Sequence, residues 1–152
     1  MTIAIDEEMA GWLILLASTV LVILTVGIHY EMLRALTRLR PLLSRLVRGG
    51  MPFMVLGLMV AHTIEIFVFG AAYYVLDSIA GFGSLQGAFE GSARDYVYFS
   101  GVVYTTLGFG DLVAVGAMRT MAGIEALTGL LMIGWSTSFT FLQMQRHWGE
   151  EG

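Results

Sequence analysis

Read along the chain, apolar residues fall into three long blocks and one short one. Residues 9–30 carry no formal charge and run GWLILLASTVLVILTVGI through their middle, and residues 51–76 are apolar except for His62 and Glu65. Residues 117–146 hold an uncharged stretch after Glu125, ALTGLLMIGWSTSFTFLQMQ. A helix needs about 20 apolar residues to cross a bilayer core, so each long block predicts a membrane-spanning helix. The short block, YVYFSGVVYTTLGFG, lies within residues 77–116 and cannot span. Irregular backbone at membrane depth is tolerated only where protein buries it or where it lines a watery path. A short helix over about 93–105, followed by glycine-rich chain and set between two spans, therefore reads as a re-entrant loop. Ser92, with Asp95 three residues on, is its predicted N-terminal cap.

Composition agrees with a bilayer setting. Hydrophobic residues make up 57% of the chain, charged residues only 13%, and the mean hydropathy is +0.76. A soluble domain carries about a quarter charged residues. Cysteine is absent, which excludes disulfides and thiolate metal sites. The first block follows Asp6, Glu7 and Glu8 rather than a basic segment, which favours a retained span over a cleaved leader.

Charge placement then orients the chain. Lysine is absent, and Arg34, Arg38, Arg40, Arg45 and Arg48 all fall in the 31–50 connection. Positive charge in short loops marks the cytoplasmic side. The N-terminus and residues 77–116 are then outside, the C-terminus is inside, and the expected location is the plasma (inner) membrane. Leu33, Leu36, Leu43, Leu46 and Val47 recur near helical spacing opposite the arginines. This predicts an interfacial helix, kinked or split at Pro41, with anionic lipid at Arg34, Arg38, Arg45 and Arg48.

Residues 105–111 read Thr-Thr-Leu-Gly-Phe-Gly-Asp. To select a monovalent cation, fixed oxygens must replace its water shell, and backbone carbonyls are the densest supply. Aiming successive carbonyls to one side requires backbone conformations that glycine reaches cheaply. Gly108 and Gly110, at alternate positions, suit that need, and the Thr106 hydroxyl adds a further oxygen.

The segment resembles the selectivity filter of potassium channels, whose common form is Thr-Val-Gly-Tyr-Gly followed by Asp. The resemblance covers the short helix, the filter and the third span, and the second span by position. It implies K+ binding at the carbonyls of Thr106, Leu107, Gly108 and Phe109, with Gly110 at the outer mouth and Thr105 and Asp111 in support. Leu107 stands where valine is usual. Phe109 stands for tyrosine and lacks the hydroxyl that often ties the filter to its surroundings; Tyr98 is the candidate to supply that bond instead. The C-terminal end of the short helix, with its partial negative charge, would face a central cavity. Thr128, Ser136, Thr137, Ser138 and Thr140 are candidate cavity hydroxyls, with helix packing the competing role. Gly129 and Gly134 are candidate hinge or gate positions, with close packing again the alternative.

Ionisable groups inside a span are functional suspects. His62 and Glu65 share a face of the second span, and Glu125 sits in the outer part of the third. An interhelical clasp is the favoured reading. A pH-responsive group is the next, and a metal site is disfavoured because only two ligands are evident. No arginine ladder occurs within a span, and only six residues follow Arg146, so neither a voltage sensor nor a regulatory domain is expected.

The reading is an all-α membrane domain: a peripheral helix over 9–30, a basic connection over 31–50 and an outer pore helix over 51–76. A pore helix with filter over 93–111 and an inner helix over 117–146 complete it. Four copies would surround one pore that passes K+ passively, with no cofactor and no enzymatic step. The alternatives are a weakly selective cation channel, a proton- or metal-linked transporter or sensor using His62, Glu65 and Glu125, and a non-conducting membrane subunit.

Overall fold

The computed structural model describes residues 6–46, 50–88 and 90–149, with side chains at 42–46 and 147–149 left aside. Helix α1 (Glu7–Leu46) is followed by α2 (Met51–Asp77), strand β1 (Ser84–Gly87), α3 (Ala93–Tyr104), strand β2 (Leu112–Val115) and α4 (Met118–Gly149). Among the described residues, two helices are long and apolar enough to cross a membrane, α1 over Glu7–Pro41 and α2. Helix α4 has 32 residues, about 48 Å of rise, but hydroxyl side chains dilute its hydropathy. The molecule is a mostly helical membrane protein.

Each long helix buries one stripe and leaves its remaining faces apolar. On α1 the stripe is Ala10, Ile14, Ser18, Thr25, His29, Leu33 and Leu36, a spacing of three, four or seven that keeps one side turned inward. Opposite it lie Leu58, Ala61, Glu65, Phe69 and Tyr73 of α2. Ala10 and Ile14 join Phe69, Tyr73, Tyr96, Phe99 and Met121 in the main core. The outward faces expose Trp12, Leu16, Ile23, Leu56 and Met59, as helices in contact with lipid do.

One expectation is corrected here. Residues 31–46 do not form a separate interfacial helix: α1 runs unbroken through Pro41. Leu33 and Leu36 pack on Leu58, with Phe139 beside them, so their apolar face already has a protein partner. Proline removes its N–H bond and crowds the carbonyl four residues earlier, at about 3 kcal/mol or more, yet the flanking helix-forming sequence carries α1 through it. Arg34 is exposed and donates to Glu31 at 2.8 Å, and Arg38 is exposed. The Arg45 side chain and Arg48 lie outside the described residues.

The all-α expectation stands, with one small addition in the outer loop. Within residues 77–116, β1 and β2 pair antiparallel, with Ser84 opposite Val115 and Gly87 opposite Leu112. Gly83, at φ 107°, leaves no room for a side chain: a Cβ there would lie 1.9 Å from the Val115 carbonyl oxygen. This small sheet fastens the outer loop to the chain that follows the glycine-rich segment.

Candidate functional site

Helix α3 is held at both ends. At its start, the Asp95 carboxylate accepts from the backbone N–H of Ser92 at 3.0 Å and of Glu90 at 3.1 Å. The bond from Ser92 holds that carboxyl below its usual range. Its body crosses α2 at Gly70, where an added Cβ would sit 3.1 Å from the Val97 Cα. Near its end, Gly129 of α4 lets the two backbones touch, since a Cβ there would fall 2.1 Å from the Tyr104 carbonyl oxygen. Gly134 has nothing within 4 Å of such a Cβ. Of the two hinge candidates, Gly129 thus has a packing reason to be glycine and Gly134 has none within the chain.

Beyond α3 the backbone alternates. Thr106 (φ 60°), Gly108 (φ 57°) and Gly110 (φ 79°) are left-handed, and the residues between them are not. Such alternation turns successive carbonyls toward the same side. Thr106 is the only non-glycine residue of positive φ among those described, a conformation that costs roughly 1–3 kcal/mol and gathers at functional positions. It is tied down by its N–H, which donates to the Val103 carbonyl at 2.9 Å, while the Leu107 N–H donates to the Val102 carbonyl at 3.0 Å. The Thr105 hydroxyl donates to the Gly101 carbonyl at 2.6 Å. Residues 105–111 are all exposed on the single chain, with Leu107 and Phe109 at 61% and 65%.

Behind this segment, the Tyr98 hydroxyl donates to Asp111 at 2.7 Å and holds that carboxyl below its usual range. Tyr98 therefore braces the chain two residues past Phe109. A cavity of about 610 Å³, lined by Phe99, Val103, Gly108, Gly110, Leu112 and Ala122 among others, lies between α3, β2 and α4.

The buried ionisable groups form two separate clusters. Glu125 is fully buried, accepts from the Tyr73 hydroxyl at 2.6 Å and meets the Ser100 hydroxyl. It joins α4 to α2 and α3 through Tyr73 and Ser100. In the second cluster, Glu65 meets His62 at 3.3 Å, as their spacing on one helix implies. It also meets Tyr104 and, at 2.9 Å, His29 of α1. Ser136 lies in this cluster, bonded to His62 at 2.9 Å, and with Thr137 and Thr140 it lines a cavity between α2 and α4. Thr128 is buried, while Thr137 and Ser138 are exposed on α4, each donating to the carbonyl four residues back.

Sequence reasoning missed His29. A signal was present: Ser18, Thr25 and His29 are polar positions seven and four residues apart on an otherwise apolar helix, which marks a face turned toward protein. With His29 included, three ligating side chains stand together where two were counted.

Residues 61–146 match the family model described as "Ion channel". No curated protein and no solved structure matches the chain significantly.

Proposed function

The chain belongs to the ion-channel family, and from that premise we propose that four copies enclose a potassium-selective pore. The observation that carries this reading is the alternating backbone at Thr106, Gly108 and Gly110, directly after a short helix. Carbonyls of Thr106, Leu107, Gly108 and Phe109 then form stacked oxygen rings that replace the water shell of K+. The C-terminal end of α3, with about half a negative charge, favours a hydrated cation just below them. The function is passive permeation, as for a channel rather than an enzyme. Helix α4 serves as the inner helix and α2 as the outer one, with α1 peripheral. The N-terminus and the β1–β2 pair lie outside. Arg34 and Arg38, on the inner extension of α1, face anionic headgroups.

The test is the reversal potential of purified protein in a planar bilayer, with K+ on one side and Na+ on the other. A value near the K+ equilibrium potential is expected. Clear current reversing near zero would remove selectivity and leave a weakly selective cation channel. The transporter or sensor alternative is separated by Glu65→Gln: a channel keeps its reversal potential, whereas a proton-coupled carrier loses transport.

A further inference from the structure

Five polar side chains close a ring where four helices meet. His29 comes from α1, His62 and Glu65 from α2, Tyr104 from α3 and Ser136 from α4. His29 Nδ1 lies 2.9 Å from Glu65 Oε1, and His62 Nδ1 lies 3.3 Å from Glu65 Oε2. Both imidazoles therefore turn the same nitrogen toward one carboxylate. Their other nitrogens converge on one hydroxyl, Ser136 Oγ, at 2.9 Å from His62 Nε2 and 3.2 Å from His29 Nε2. The Tyr104 hydroxyl stands inside the ring, bonded to Glu65 and 2.8 Å from His62 Nδ1.

The geometry points to a binding site for one divalent transition-metal ion of the zinc class, held by His29 Nδ1, His62 Nδ1 and the Glu65 carboxylate. The Tyr104 oxygen is the fourth donor. One ligand atom from each of the three residues lies within 4.8 Å of the others. A tetrahedral zinc ion with bonds of about 2.1 Å keeps its ligands roughly 3.4 Å apart, a spacing that the contacts to Glu65 approach from below. Imidazole and carboxylate donors suit zinc, cobalt or nickel better than magnesium or calcium.

The surroundings complete the site. An imidazole that binds through Nδ1 carries its proton on Nε2, and a metal-ligating histidine donates that proton to an outer partner. One hydroxyl oxygen has two lone pairs, and Ser136 Oγ is placed against both Nε2 atoms. Two neutral imidazoles and one carboxylate leave a divalent ion with one net positive charge. The C-terminal end of α3, at Tyr104, offsets part of it. A route in exists, because His62, Tyr104 and Ser136 line a cavity of about 670 Å³ between α2 and α4. The site adjoins the exposed segment 105–111 through Tyr104, but none of its donors belongs to that segment, and it does not depend on which ion passes there.

The rival is a ring that satisfies itself by hydrogen bonds and binds nothing. Tag-free, full-length protein stripped with chelator and titrated with Co2+ separates the two. One Co2+ per chain is expected, with the intense visible bands of a four-coordinate site, displaced by Zn2+. Ser136→Ala leaves every ligand in place and should weaken binding about 10- to 100-fold. His29→Gln should abolish the bands, and His147→Gln, which changes the chain's third histidine, should leave them intact. A weak six-coordinate spectrum in the wild type would overturn the site, as would bands that persist in His29→Gln or vanish in His147→Gln. If His29→Gln does not fold, the wild-type spectrum and the Ser136→Ala shift decide the matter.

Discussion

Phe109 brings no hydroxyl to the exposed segment, and Tyr98 supplies one to Asp111 from behind instead. A shared bond predicts non-additivity. Tyr98→Phe and Asp111→Asn should each hasten the decline of current during a long recording, and the double variant should be no worse than either single one. Additive effects would mean the two residues act separately. The same bond sets a pH limit. Because it lowers the folded pKa of Asp111, its contribution is complete above the ordinary carboxylate value of about 3.9 and is lost as pH falls through the lower folded value. Current decline should therefore change little down to about pH 4 and quicken only below it; quickening between pH 7 and 5 would implicate another group. Gly129 and Gly134 make a second contrast at this scale. A methyl group on Gly129 collides with the Tyr104 carbonyl, and overpacking of this kind costs roughly 1–3 kcal/mol. Gly134 has no such neighbour, so Gly134→Ala should leave the melting temperature nearly unchanged while Gly129→Ala lowers it. Equal effects would remove the packing account.

At the scale of elements, α3 is positioned by α2 and α4 through Glu125. Ser100 Oγ faces both the Glu125 carboxyl and the Ile66 carbonyl, the latter at 2.9 Å. A hydroxyl has one proton, so both contacts are hydrogen bonds only when Glu125 brings a proton of its own. A glutamine amide would do the same, donating to Ser100 while its oxygen accepts from Tyr73. Glu125→Gln should then keep the fold and conduction close to wild type. Glu125→Ala would strand the buried Tyr73 hydroxyl at about 1–3 kcal/mol, while Ser100 keeps the Ile66 carbonyl, to be read as an earlier melt. A glutamine variant as damaged as the alanine one would show that the carboxylate charge is needed. Glu125 and Glu65 stood out in the sequence because a charge inside an apolar block is conspicuous, yet their partners did not. Tyr73, Ser100 and His29 pass as ordinary span residues until the helices are docked, because no periodicity within one helix says which stripe meets which. The long apolar blocks were legible because lipid-facing helices are apolar nearly all round. The continuity of α1 was not, since a basic amphipathic stretch looks the same on a headgroup surface as on a helix leaning against Leu58. Strands of four residues bordered by glycine left too short a pattern to read.

On the proposed pore reading, a single chain is only part of the functional unit. Segment 105–111 lies open, and α4 presents Leu127, Leu130, Leu131, Phe141 and Leu142 outward. Apolar side chains are at ease in lipid, but exposed carbonyls at membrane depth are not, and each unsatisfied group there costs several kcal/mol. The cost disappears when copies of the segment surround a column of water and cations. In the proposed pore the other copies come from neighbouring chains, and rings of four oxygens need four of them. Native mass spectrometry of detergent-extracted protein should accordingly find a species of four 16.6 kDa chains. Replacing Gly108 by alanine should shift it toward smaller species, since alanine at φ 57° resists the left-handed turn that aligns the carbonyls. A stable dimer or monomer in the wild type, under conditions where current is measured, would show that the exposed segment is satisfied some other way. The ring of shared oxygens would then have to be abandoned along with the selectivity built on it.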